Sequence, residues 1–539
     1  MKVAIPVTNV AELVRRRAEQ RGNAPALVDG ERRVTWSELD AEVDAVAGGL
    51  AAAGLVAGNR VAFALPNRVE LVVWYLATLR AGCVAVPLNP TSATGEVARM
   101  LTDSGARICL LDESTAATVR AAVAGVGEAP APDQGAPATA PPRIVAVDVT
   151  PLPGELGYVD LRDVARPVRS PLDRESLGVL LYTSGTSGRP RGAMLSHRAL
   201  LANIEQASQT TPAPVRSDDV VLGVLPMSHV YGLNAVLGQV LLHGASLVLG
   251  RRFDADETLR LVAGERVTVV PVAPPVITAW ADRDDVAAAL ASVRTLLSGA
   301  GPLAEEVVRR FEANTGVAVE QGYGLTEASP IVTSTIGSPA HKPGSAGRAV
   351  PGVELRIVGV GGGGEGRNAG IAADTVGVDD TGQIMVRGAN VFSGYWPDGT
   401  DSPSDDGWLA TGDVGYLDAD GDLFLVDRIK EIVIVSGFNV YPSEIEDVVA
   451  EVSGVLECAV IGVADDRTGE AVQVYVVAEP GVDADELSAA VRAHCDGRLA
   501  RFKQPAGVSV VDALPHSATG KVAKGRLRAE QQRRSLGLA

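Results

Sequence analysis

A short apolar run, Leu177-Gly-Val-Leu-Leu-Tyr182, passes directly into Thr-Ser-Gly-Thr-Ser-Gly-Arg-Pro-Arg-Gly192, and this junction constrains the fold more than any other segment. The run reads as a buried strand. Behind it, Thr183, Ser184, Thr186 and Ser187 alternate with Gly185 and Gly188, before Arg189, Arg191 and Gly192. Glycines let a backbone approach a ligand closely. Successive N–H groups, hydroxyls and arginines can then surround phosphate oxygens. Taken alone, such a loop reads equally well as a Ser/Gly-rich surface connection. Its attachment to a core strand argues for function. It lacks the G-x-x-x-x-G-K-[ST] frame of a P-loop.

The rest of the chain supplies a setting for that loop. With 539 residues it exceeds one hydrophobic core. In the first hundred residues helix and strand patterns alternate. Thr35-Trp-Ser-Glu38 forms a capping box and opens an Ala-rich helix ending near Gly54. Strands are expected over 60–65, 83–87 and 107–111, and an amphipathic helix over 69–80. That order predicts α/β layering with parallel sheets. Residues 125–142 are Ala/Pro/Gly-rich and read as a surface insertion. A G-x-G-x-x-G string at Gly359, Gly361 and Gly364 follows a strand-like segment, but the glycines after it forbid the helix a dinucleotide site needs, so it reads as a hairpin insertion. From Asp427 onward a small α+β module of about 110 residues is expected. The domain boundaries are therefore 1–428 and 429–539.

Bulk properties exclude several functions. A net charge of −18 argues against a nucleic-acid surface. The four cysteines, Cys83, Cys109, Cys458 and Cys495, are scattered and form no C-x-x-C pair, which suits free thiols in a reducing cytoplasm. No apolar signal-like region opens the chain, and no run of 18 apolar residues predicts a membrane span.

Further segments carry chemistry. In Gln321-Gly-Tyr-Gly-Leu-Thr-Glu327, Tyr323 can stack on a purine, Gly322 and Gly324 leave room for a ligand, Thr326 can donate to a phosphate, and Glu327 is a hard-oxygen donor suited to Mg²⁺. Alone, the segment also reads as a strand-edge turn with a solvated glutamate. In Trp408-Leu-Ala-Thr-Gly-Asp413, the carboxylate can accept from both hydroxyls of a ribose, or be an ordinary turn residue. His229, in Pro226-Met-Ser-His-Val-Tyr-Gly-Leu233, reads as a ligand-facing or a packed histidine. A lone lysine near a terminus, as in Leu514-Pro-His-Ser-Ala-Thr-Gly-Lys521, is usually a solvated charge.

These segments, in this order, resemble the adenylate-forming superfamily of acyl-CoA synthetases, adenylation domains and luciferases, over nearly the whole chain. The resemblance implies a large N-terminal domain of layered α/β subdomains with a distorted β-barrel, and a small mobile α+β domain. It makes residues 182–192 the ATP phosphate loop, with Ser187 where Thr is common and Arg191 where Lys is usual. It assigns His229 to the acyl pocket, Gly299 and Ala300 to the adenine and acyl chain, Glu327 and Thr186 to Mg²⁺, and Asp413 with Arg428 to the ribose. Lys521 is implied to hold the reacting oxygens, Lys430 to be the hinge, and Gly437 to lie on the face that replaces Lys521. After Gly394-Tyr-Trp396, the acidic stretch 398–406 lacks the family's Pro-Glu-x-Thr.

The implied reaction joins a carboxylic acid to AMP, releasing pyrophosphate, and then to coenzyme A. Arg498, Arg501 and Lys503 are candidate partners of the coenzyme A phosphates. The apolar lining expected from Val230, Tyr231, Val272, Ala273, Gly299, Ala300, Ile331 and Val332, and the similarity of residues 435–446 to bacterial fatty acyl-CoA ligases, favour a medium- or long-chain fatty acid. Coumarate-like or benzoate-like acids are the runner-up. A carrier-protein acceptor, a nucleotide-binding pseudoenzyme and a plain ATPase complete the alternatives. The expected protein is a cytoplasmic monomer or homodimer.

Overall fold

Short Val/Leu-rich strands alternating with amphipathic helices build two seven-stranded sheets. The computed structural model describes residues 7–126, 140–162, 168, 173–183, 190–301, 303–360, 371–378, 380–435, 438–465, 467–516 and 521–535. The chain divides into two compact units, Met1–Leu355 with Val386–Leu409, and Arg356–Met385 with Ala410–Ala539.

Both seven-stranded sheets belong to the first unit. In one, Arg60–Ala64, Val84–Pro87, Ile108–Leu111 and Leu177–Thr183 run parallel, and Arg191–Ser196 closes the edge antiparallel to Leu177–Thr183. In the other, Val220–Gly223, Val269–Val272, Thr295–Ser298 and Val319–Gln321 are parallel neighbours. The helix Val69–Arg80 is buried at all its positions, as an all-round apolar helix must be. It touches Val84–Pro87 of one sheet and Pro25–Asp29 of the other. The capping box at Thr35 and Glu38 is present and opens the helix Trp36–Ala52. Separate cores form on the two sheets, one around Leu222, Val270, Trp280 and Phe311 and one around Ala62, Val86, Cys109 and Leu180.

A five-stranded sheet, most of whose residues lie in the second unit, has the order Ile371–Thr375, Val353–Val360, Gly382–Gly388, Trp408–Leu417, Leu423–Arg428. The β-barrel implied by the resemblance is not a closed one. No closed barrel occurs among the described residues, because the outer strands Ile371–Thr375 and Leu423–Arg428 pair with one neighbour each. Residues 361–370 of the expected hairpin and 127–139 of the expected insertion lie outside the described residues.

A 3₁₀ turn, Ile429–Glu431, leads to the last sheet, in which Gly469–Ala478 pairs with Val433–Val435, Val455–Asp465 and Gly507–Val511. Helices Pro442–Ala450 and Ala484–Arg498 supply Ile445, Val449, Leu487 and Val491 to its core. The last helix, Lys524–Ser535, adds Leu527 to a smaller cluster. The cysteines are free thiols. Among the described residues, no helix is long and apolar enough to cross a membrane.

Candidate functional site

Four parallel strands of one sheet end along a single edge, and the candidate acid and nucleotide segments follow those ends. Pro226 to His229 comes after Val220–Gly223, Ala273 after Val269–Val272, Gly299 and Ala300 after Thr295–Ser298, and Gly322 to Glu327 after Val319–Gln321. The carboxyl edge is where open α/β sheets bind ligands.

His229 is anchored by its own turn. Its amide donates to Pro226 O at 3.0 Å, and its Nδ1 accepts the Tyr231 amide at 3.2 Å. That acceptor role puts the proton of the neutral ring on Nε2. A π-helical turn, Tyr231–Val236, follows, an irregularity common at functional sites. It directs Tyr231 against Gly299, where an added Cβ would lie 2.9 Å from the ring. Ala300 beside it adopts φ 69°, a left-handed conformation unusual for a residue with a side chain.

On the side where a Cβ would point, Gly322 and Gly324 face backbone. A Cβ there would meet Thr333 O at 2.6 Å and Pro330 O at 2.4 Å, so both glycines allow the chain to pack on residues 330–333. Tyr323 is buried, and its amide donates to Thr333 Oγ1 at 3.1 Å. Thr326 and Glu327 lie in the buried 3₁₀ turn Thr326–Ala328. Glu327 is 4% exposed, and its Oε1 accepts the hydroxyl of Tyr395.

The strands flanking the expected phosphate loop, Leu177–Thr183 and Arg191–Ser196, pair antiparallel. Thr183 and Arg191 are register partners, and Thr183 Oγ1 reaches Arg191 O at 3.5 Å. Ser184, Gly185, Thr186, Ser187 and Gly188 lie outside the described residues. Arg191 pairs with Asp401 at 2.7 Å, and its guanidinium lies 3.8 Å from the centroid of the Tyr395 ring. Residues 392–396 pair with this strand: Ser393 donates to Met194 O, Met194 to Gly394 O, and Trp396 to Gly192 O. Phe392 donates to Glu327 O at 2.9 Å, which ties the same segment to the glutamate.

The second unit holds the remaining candidates. Asp413 and Arg428 face each other on adjacent strands and meet at 3.1 Å. Thr411 Oγ1 accepts the Asp413 amide at 3.0 Å within the strand Trp408–Leu417. Burial pushes the Lys521 pKa below the ordinary lysine value; Arg428 adds to this, and Asp413 and Glu431 oppose it. Three residues on, Lys524 pairs with Glu446 at 2.8 Å and Glu431 at 3.4 Å. The Lys430 side chain and Gly437 lie outside the described residues. Two of the three basic candidates for coenzyme A pair with carboxylates: Arg498 with Glu451, and Lys503 with Glu444 at 2.6 Å.

Sequence reasoning did not single out Tyr395, Asp401 or Lys524. Tyr395 stood in a noted motif, Gly394-Tyr-Trp396, but nothing local connects it to Glu327. The only signal for Asp401 was the departure of its stretch from the family pattern.

An AMP-binding enzyme model matches residues 14–396, and an AMP-binding enzyme C-terminal domain model matches residues 444–521. A feruloyl-CoA synthase from Amycolatopsis sp. is 36% identical, across 95% of this chain and 97% of the relative. A long-chain-fatty-acid–CoA ligase from Bacillus subtilis is 31% identical, across 93% and 90%. The crystal structure of ATP-bound MatB from Rhodopseudomonas palustris superposes with a TM-score of 0.84 at 32% identity, covering 97% of this chain and 99% of that one.

Proposed function

The chain belongs to the AMP-binding enzyme family, and on that premise we propose how its residues divide the work of an AMP-forming acid–CoA ligase. The observation that carries the reading is the alignment of His229, Gly299, Ala300, Thr326 and Glu327 behind four parallel strand ends.

In the first half-reaction, a carboxylate oxygen of the acid attacks the α-phosphorus of ATP, a P–O bond forms, and the bond to pyrophosphate breaks. A carboxylate is a weak nucleophile and must approach a polyanion, so the protein has to offset charge and fix geometry. Thr326 donates to the α-phosphate, Tyr323 lies along the purine, Asp413 accepts from the ribose with Arg428 holding it, and Lys521 carries the positive charge for the reacting oxygens. The buried carboxylate of Glu327 suits a hard divalent cation. Glu327 and Thr186 would hold magnesium, which when bound neutralises phosphate charge. In the second half-reaction, the sulfur of coenzyme A attacks the acyl carbon, the C–O bond to AMP breaks, and the thiol proton is released. A hinge at Lys430, between domains 1–428 and 429–539, exchanges Lys521 for the segment containing Gly437 between the two steps.

The acid is best read as an aryl acid of the hydroxycinnamate type. The Tyr231 ring against Gly299 offers a flat apolar wall, and the feruloyl-CoA synthase is more similar than the long-chain ligase. The initially favoured medium- or long-chain fatty acid remains the second reading, supported by the apolar lining and by the Bacillus relative. The free, scattered thiols support a cytoplasmic location. Pyrophosphate and AMP release across hydroxycinnamates, benzoates and fatty acids, with and without coenzyme A, tests this. Turnover confined to fatty acids would overturn the aryl assignment, and AMP release indifferent to coenzyme A would favour a carrier-protein acceptor.

A further inference from the structure

Two departures from the family pattern, the arginine at 191 and the acidic stretch at 398–406, turn out to contact each other. Arg191 pairs with Asp401 at 2.7 Å. Asp401 is held at φ 57°, a left-handed backbone that residues with side chains seldom adopt; such conformations collect at functional sites. The other face of the contact is Tyr395, 3% exposed, with the guanidinium 3.8 Å from its ring centroid. The hydroxyl of the same tyrosine donates to Glu327 Oε1.

We propose that Asp401, Arg191, Tyr395 and Glu327 act as one positioning chain, in which Asp401 aims the phosphate-loop arginine and Tyr395 orients the glutamate carboxylate. The inference rests on the adenylation reading for its chemistry. Its physical basis is local. An ionised carboxylate is costly to bury without a strong donor, and the Tyr395 hydroxyl is such a donor to Glu327. A cation over a phenol ring draws density from it, which strengthens the O–H donor on the far side. The donated proton fixes the carboxylate plane. Asp401, engaging one guanidinium nitrogen, holds the planar group against the ring and leaves its remaining N–H donors for phosphate oxygens. Phe392 packs edge-on against Tyr395 at 5.1 Å, which holds the tyrosine ring in place.

The test compares Tyr395→Phe, Asp401→Asn, their double variant and the conservative Arg191→Lys. Acid-dependent ATP–pyrophosphate exchange is measured, together with calorimetric affinity for α,β-methylene-ATP with and without magnesium. Tyr395→Phe is expected to lower exchange kcat by about 10- to 100-fold with KM for ATP changed less than about threefold, because a transition-state alignment is lost rather than ground-state binding. Its affinity for the analogue, with or without magnesium, stays within about threefold of wild type. Asp401→Asn raises KM for ATP by about tenfold, Arg191→Lys does the same to a smaller degree, and the double variant loses less than the product of the single losses, since contacts in one network are not additive. Wild-type kinetics and analogue affinity in both single variants would overturn the proposal. So would multiplicative losses accompanied by a matching fall in thermal midpoint, the signature of a purely structural role. If wild type exchanges with none of the acids, the activity reading fails, while analogue binding still decides the positioning chain.

Discussion

Asp413 and Arg428 are direct register partners across two antiparallel strands, and the Arg428 Nε lies 3.1 Å from the Asp413 carboxylate. The strand pairing brings the two side chains together, so the backbone register sets the pair. The aspartate is the shielded member, with 13% of its side chain exposed against 49% for the arginine.

Asp413→Asn keeps the shape and removes the charge. With hydrogen bonds to charged groups contributing about 1.5–3 kcal/mol, KM for ATP should rise by roughly 10- to 100-fold while KM for the acid stays close to wild type. Initial rates over an ATP series and an acid series separate the two. A selective change in acid KM would remove Asp413 from the ribose.

Lys521→Ala should abolish adenylation, by about 100-fold or more on the scale of losing one charged transition-state donor, while thioester formation from supplied acyl-adenylate continues. The pH dependence carries a sign. Because the pKa of Lys521 is lowered, its ammonium is lost as pH rises through a value below the ordinary lysine range. The alkaline limb of adenylation should therefore fall at lower pH than an exposed lysine would give, and Lys521→Arg should move that limb upward. An unmoved limb would falsify the assignment.

Gly299→Ala places a methyl group 2.9 Å from the Tyr231 ring. Overpacking of this kind costs about 1–3 kcal/mol. The ring must shift, and KM for an aryl acid should rise by about tenfold with KM for ATP little affected. Equal rises in both would mean that the ring does not border the acid.

Much of this architecture was readable in advance, because it depends on local patterns. The capping box at Thr35, the helix over Val69–Arg80 and the strand into Tyr182 all lie in continuous segments, although that helix is buried on every side and not amphipathic as expected. Asp413 and Arg428 were legible as a pair through a resemblance. The contacts of Arg191 were not, since Asp401 is 210 positions away and its acidic turn has no periodicity. The packing of Gly322 and Gly324 was not legible for a related reason. A glycine looks the same in sequence whether it makes room for a ligand or for the carbonyls of Pro330 and Thr333.

Lys524 offers a test of stability rather than turnover. It lies between Glu446 and Glu431 with little solvent access, and burial raises the Glu446 pKa despite the lysine. Lys524→Met leaves two carboxylates without their shared cation, at a cost of about 2–3 kcal/mol. A carboxyl whose pKa is raised in the folded state binds protons there more readily than in the unfolded state. The variant should therefore regain stability as pH falls from neutral toward 5, and lose it again as pH rises through the Glu446 value. Urea midpoints at the two pH values read this directly.

The four parallel strand ends have a consequence for how such a chain diversifies. The hydrophobic core lies beneath them, around Leu222, Val270, Trp280 and Phe311, while Tyr231, Gly299 and Ala300 lie beyond. Changes in those outer residues strain their own contacts, as at Gly299, more than the packing of that cluster. A lineage can therefore exchange one acid for another by small steps, without passing through a variant that fails to fold.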